Sequence, residues 1–89
     1  MQAHLLITGS VQGVGYRQFV KQQAKRMGIH GWVKNLPDSS VAALLQGEKE
    51  AINQMIENCR EGSFLSQIKN IVITWENDTQ KYTSFEILH

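Results

Sequence analysis

Two helical stripes flanking a hairpin pattern constrain this chain more than any other feature. Tyr16, Phe19, Val20, Ala24 and Met27 recur at offsets 0, 3, 4, 8 and 11, a one-sided apolar stripe at the α-helical period. Arg17, Lys21, Lys25 and Arg26 lie off that stripe, and Gly28 follows as a terminator. Ile52, Met55, Ile56 and Cys59 recur at offsets 0, 3, 4 and 7, predicting a second helix over 48–60 that Gly62 closes. Glu48 and Glu50 in its first turn suit the helix dipole.

Strand patterns fill the remaining segments. Residues 4–9 are apolar and end at a glycine. Residues 30–35 alternate, with Trp32 and Lys34 on one face and Gly31 and Val33 on the other. Leu36-Pro37-Asp38-Ser39-Ser40 is turn chemistry, and 41–46 is a further strand, so 30–46 reads as a hairpin. Residues 67–76 place Ile71, Ile73 and Trp75 on one face, and 82–88 do the same with Phe85 and Ile87. The order is β-α-β-β-α-β with an additional C-terminal strand. It predicts an α+β, ferredoxin-like sandwich: a mostly antiparallel sheet with two helices on one face. At 89 residues the expectation is a single domain over 1–89. That fold hosts many unrelated activities, so function has to come from a site.

Composition removes several classes. Hydrophobic residues make up 42% and charged residues 19%, which describes a globular domain. A net charge of +1 is not the basic excess that phosphate-backbone binding demands, so no nucleic acid is expected. The lone Cys59 cannot form an internal disulfide, and His4, His30 and His89 lack metal-ligand spacing, so no metal is expected. The longest aliphatic run, 41–45, has five residues, against roughly 20 for a membrane span. Nor does a basic region precede an apolar stretch at the N-terminus, so no membrane contact is expected and the cytoplasm is the default location.

The segment that carries chemistry is Gly9-Ser10-Val11-Gln12-Gly13-Val14-Gly15-Tyr16-Arg17. A glycine-rich turn from strand to helix can point successive backbone N–H groups into one concavity, and the helix N-terminus adds to it. Arg17 stands where the first helical turn begins, able to fork two hydrogen bonds onto phosphate oxygens. No G-K-[ST] follows, and the glycine spacing fails G-x-G-x-x-G, so neither a Walker loop nor a dinucleotide fingerprint is present. On the loop alone, a tight turn with a solvated arginine is the commoner reading.

Val11-Gln12-Gly13-Val14-Gly15-Tyr16-Arg17 resembles the first signature of the acylphosphatase family, V-Q-G-V-x-[FY]-R. Gly31-Trp32-Val33-Lys34-Asn35, with Val41 and Gly47 beyond it, resembles the second. The likeness extends over nearly the whole chain. Two departures fall in turns: Ser39 and Ser63 stand where the family has glycine and proline. The resemblance implies hydrolysis of the carboxyl–phosphate anhydride of acyl phosphates, giving a carboxylate and inorganic phosphate. It implies that Arg17 binds the phosphoryl group together with the backbone N–H groups of Gln12, Gly13, Val14, Gly15, Tyr16 and Arg17. It further implies that Asn35 holds the attacking water, with no cofactor, no metal and no phosphoenzyme. A monomer is expected. The alternative is a non-catalytic module of the same fold that binds an acyl phosphate. An RNA-recognition module shares the element order but stacks bases on central-strand aromatics, which 41–45 lacks.

The other candidates read as structure. Trp32 and Trp75 are expected in or beside the core, Cys59 as a small buried group, and His30 as a partly exposed strand residue. Lys21, Lys25 and Arg26 read as a solvated helix face, and Lys34 as facing away from Asn35.

Overall fold

The computed structural model describes every residue except Phe64. Its elements follow in the order β1 (Gln2–Ser10), α1 (Tyr16–Met27), β2 (His30–Asn35), β3 (Val41–Gln46), α2 (Lys49–Glu61), β4 (Gln67–Glu76) and β5 (Phe85–Leu88). The α+β architecture and the bounds of β2, β3 and β4 match the sequence reading. Three elements shift their bounds. β1 starts at Gln2 because Gln2 and Ala3 pair on both sides, with Gln46 and Leu45 of β3 and with Glu76 and Trp75 of β4. Glu48 becomes the N-cap of α2, leaving Glu50 as the acid of the first turn. β5 is shorter than expected, because Tyr82 is drawn onto the sheet face rather than into the ladder.

The sheet order is β4-β1-β3-β2-β5. The first four strands pair antiparallel, and β5 closes the far edge parallel to β2, with Gly31 opposite Phe85 and Lys34 opposite Leu88. One face packs on both helices. Ala3, Leu5 and Ile7 of β1, Val33 of β2, and Val41, Ala43 and Leu45 of β3 meet Tyr16, Val20 and Ala24 of α1 and Ile52, Met55, Ile56 and Cys59 of α2. Each large side chain so buried contributes roughly 1.5–3 kcal/mol. Gly28 ends α1 in the left-handed conformation at φ 68°, and the Ile29 N–H donates back to the Ala24 carbonyl at 2.9 Å.

Trp75 packs against this core, as expected. Trp32 does not. It lies on the opposite, helix-free face, where its Nε1 donates to the Tyr82 hydroxyl at 3.2 Å and its ring meets His4 edge-on at 5.8 Å. Lys34 stands on the same face, its Nζ 5.1 Å from the Trp32 ring centre. Strand alternation decides this: placing Val33 in the core sends both neighbours across the sheet. The segment 77–84 returns the chain from one sheet edge to the other, and Gln46 ties it down by accepting from the Tyr82 N–H at 3.0 Å.

Candidate active site

The β1–α1 loop is built by two glycines in the left-handed region, Gly13 at φ 74° and Gly15 at φ 77°. Gly15 is also the N-cap of α1. It offers no side-chain cap, and the first turn of α1 holds no acidic residue. The first backbone bond into the helix runs from the Phe19 N–H to the Gly15 carbonyl at 3.0 Å. Among the described residues, no backbone carbonyl accepts from the amides of Gln12 through Arg17 outside the helix's own ladder. The helix start therefore presents unsatisfied donors at the positive end of its dipole. Left-handed residues within such a run curl neighbouring N–H groups toward one point, the geometry of an anion nest.

A cavity of about 360 Å³ opens at this point, lined by Gly13, Gly15, Tyr16 and Arg17 of the loop and helix and by Ile87 and His89 at the end of β5. The Arg17 Nη1 lies 3.4 Å from the His89 Nδ1. The loop is fastened from the other side by Gln12. Its Nε2 donates to the carbonyls of Leu36 at 2.9 Å and Ser40 at 2.8 Å, both in the β2–β3 turn. That tether sets the loop against the end of β2, where Asn35 stands one residue before Leu36. The Asn35 Oδ1 is shielded from bulk water and has no hydrogen-bond partner among the described residues. An acceptor left so costs about 1–3 kcal/mol.

Tyr16 anchors the helix start. It is fully buried, and its hydroxyl donates to the Cys59 carbonyl of α2 at 2.9 Å. Burial, with Cys59 beside it, raises the Tyr16 hydroxyl well above its ordinary range. Burial likewise pushes the Cys59 thiol up to about 12. Both groups stay neutral at working pH, so Tyr16 positions the loop and is no proton donor to a substrate, and Cys59 is an inert core residue.

The two departures from the family pattern sit in closed turns. Ser39 adopts φ 75°, the left-handed conformation a glycine would take more easily. The turn holds nonetheless, because the Asp38 carboxylate accepts from the Ser40 N–H at 3.0 Å and from the Ser40 hydroxyl. The Ser40 hydroxyl bond, with the backbone bond second, lowers the Asp38 carboxyl below the usual carboxylate range. At the other turn the Ser63 N–H donates to the Ser66 hydroxyl at 2.7 Å.

The acylphosphatase family profile matches residues 3–87. The chain belongs to the acylphosphatase family. It is 40% identical over 76 residues to an acylphosphatase of Thermococcus kodakarensis, covering 85% of this chain and 84% of that one. It is 37% identical over 86 residues to one of Syntrophobacter fumaroxidans, covering 97% and 89%. Its fold superposes on the crystal structure of the Bacillus subtilis acylphosphatase with a TM-score of 0.96 at 33% identity, covering 99% of this chain and 98% of that one. The same fold recurs within a larger protein, Thermococcus kodakarensis HypF, with a TM-score of 0.88 at 28% identity, covering 100% of this chain but 12% of that one.

Of the residues singled out in the sequence, Gly13, Gly15, Tyr16 and Arg17 share the cavity, while Gln12, Val14 and Asn35 are not among its lining. Two features escaped the sequence. The Gln12 side chain acts as a tether besides its backbone N–H, and the Q of the signature was the available signal. Ile87 and His89 join the site only because β5 lies parallel beside β2, and no residue type in 82–88 announces that placement.

Proposed function

We propose that this chain hydrolyses acyl phosphates to a carboxylate and inorganic phosphate, with Arg17 and the Gln12–Arg17 amides as the phosphate cradle. The observation that carries the reading is the uncapped start of α1. It combines two left-handed glycines, a helix N-terminus without an acid, and Arg17 in the first turn, facing one cavity. Family members that match over most of both chains are acylphosphatases, which favours an enzyme over a binding module of the same fold.

In this reading the phosphoryl oxygens sit on the loop N–H groups, and the guanidinium of Arg17 forks onto two of them. A water held by the Asn35 amide attacks phosphorus opposite the acyl oxygen. The new P–O bond forms as the bond to the acyl oxygen breaks, and the carboxylate leaves with the electron pair. The water's proton passes to a phosphoryl oxygen, since neither Asn35 nor Arg17 takes it up. A carboxylate is a good leaving group, so orientation and charge stabilisation carry the step. The Gln12 tether to the Leu36 carbonyl supports the role given to Asn35, because it holds the loop against the strand end where Asn35 stands.

The finer expectations are a single domain over 1–89 acting as a monomer in the cytoplasm, without metal. No helix among the described residues is long and apolar enough to cross a membrane.

The test is hydrolysis of an acyl phosphate by the purified protein, with a phosphomonoester as comparison and exhaustive chelation as a second arm. Turnover confined to the acyl phosphate and unchanged by chelation is expected. Arg17→Lys keeps the charge and loses the planar fork, and should lower turnover by about 10²-fold or more. Near-normal kinetics in that variant would reduce Arg17 to a surface arginine.

A further inference from the structure

The parallel pairing of β5 with β2 has its last registered partners at Lys34 and Leu88. One residue further along both strands stand Asn35 and His89. Alternation puts Phe85, Ile87 and His89 on the helix side of the sheet together with Gly31, Val33 and Asn35. Independently of register, the His89 Nδ1 lies 3.4 Å from the Arg17 Nη1, and both residues line the cavity over the β1–α1 loop. Seventy-two residues of sequence separate these two side chains, so the contact exists only because the last strand crosses to the β2 edge.

We propose that His89 is a positioning residue for Arg17: its ring accepts a hydrogen bond from the guanidinium and aims the remaining N–H groups at the phosphate cradle. The inference rests on the acyl phosphate reading and adds to it a third side chain, on a third element.

The chemistry of the alternatives explains why an imidazole nitrogen suits the place. Arginine has a long stem whose rotamer freedom is lost whenever its fork meets a phosphoryl group. A partner that already holds one nitrogen reduces that loss on binding. A carboxylate would hold the guanidinium more tightly, but it would cancel the positive charge and repel the substrate. An imidazole nitrogen accepts the bond without bringing negative charge. The surroundings fit this division of labour. α1 carries Arg17, Lys21, Lys25 and Arg26 and no carboxylate. The charged residues nearest in register, Lys34 of β2 and Glu86 of β5, lie on the opposite face, with Lys34 above the Trp32 ring and Glu86 accepting from the Ser84 hydroxyl at 2.8 Å. Arg17 forms no salt bridge with a described residue.

Three substitutions separate positioning from mere presence. His89→Ala removes the acceptor. His89→Asn keeps an amide oxygen close to the place of Nδ1. His89→Asp keeps an acceptor but adds negative charge. His89 is exposed at the end of a strand, so all three should keep the native denaturation midpoint. The readouts are kcat and KM with an acyl phosphate, and the affinity for inorganic phosphate by calorimetry, which needs no turnover. His89→Ala should raise KM and weaken phosphate binding by about 5- to 10-fold, the scale of one ordinary net hydrogen bond. His89→Asn should recover to within about twofold of the unsubstituted protein, and His89→Asp should bind phosphate more weakly than His89→Ala. Two results would overturn the proposal: His89→Ala within twofold of the unsubstituted protein in both readouts, or His89→Asn as impaired as His89→Ala. Absence of acyl phosphate hydrolysis in the unsubstituted protein would instead remove the underlying reading, so the two failures are distinguishable.

Discussion

Gly31 in β2 and Gly15 at the start of α1 are both glycines with positive φ, 138° and 77°, yet the space around them is opposite. A Cβ on Gly31 would strike the Leu44 carbonyl of the neighbouring strand, while a Cβ on Gly15 would meet nothing within 4 Å. Gly13 is open in the same way. In the sheet, glycine is needed because backbone comes too close. In the loop, it is needed because a left-handed turn must curl the amides inward and leave the volume beside them free. Equivalent residues thus serve close packing in one region and leave open space in the other, and the surroundings tell which.

That contrast breaks first at Gly31. Gly31→Ala should cost on the order of 4 kcal/mol, because the obstacle is backbone and cannot rotate away. Denaturant unfolding measures it. A midpoint within experimental error of the unsubstituted protein would mean that the strand glycine is no tighter than the loop glycines.

Asn35→Ala tests the functional side at the next scale. Turnover should fall by roughly 10²-fold while phosphate affinity stays nearly intact, since Arg17 and the loop amides supply it. Stability should hold or rise, by up to the roughly 1–3 kcal/mol that the unpartnered Asn35 Oδ1 costs. A drop in stability with unchanged turnover per folded molecule would turn Asn35 into a hairpin residue.

Gly15→Ala sharpens the comparison directly. The left-handed backbone charges a Cβ about 1–2 kcal/mol, well below the Gly31 effect. Because Gly15 lines the cavity, competitive inhibition by phosphate should weaken by about 10-fold. A stability loss as large as that of Gly31→Ala, with phosphate inhibition unchanged, would erase the distinction between the two regions.

The smallest effect is expected at Ser39, which holds a left-handed conformation without being glycine. Ser39→Gly should stabilise by about 0.5–1 kcal/mol, the relief of the Cβ contact less the added freedom of the unfolded chain. A thermal melt reads it, and destabilisation would mean that the Asp38–Ser40 hydrogen bonds depend on the serine backbone.

Local pattern was enough for most of the architecture. Both helices, the hairpin and β4 follow from periodicities that a stretch of ten residues already contains, because amphipathicity is a property of neighbours in sequence. The short limits of β5 were not legible: 82–84 alternates as well as 85–88 does, yet the Tyr82 N–H donates to the Gln46 side chain while pairing with β2 begins at the Ser84 carbonyl, which accepts from the Gly31 N–H. Trp32 shows the same limit. Its face was readable relative to Val33, but which face the helices would cover was not.

The site divides along the same line. The amino-acid sequence by itself determined the local turn, since Gly13 and Gly15 permit φ values that other residues resist and Arg17 follows at a fixed offset in the helix. It likewise determined that Asn35 ends the strand before a proline turn. Only the tertiary structure decided what these pieces face: Gln12 reaching the β2–β3 turn, the Tyr16 hydroxyl locked onto α2, and β5 crossing to lie parallel to β2 so that His89 meets Arg17. Dihedral preference acts within a few residues and is written in residue type. Strand order and edge choice depend on burying one shared core, a sum over the whole chain that no single segment carries.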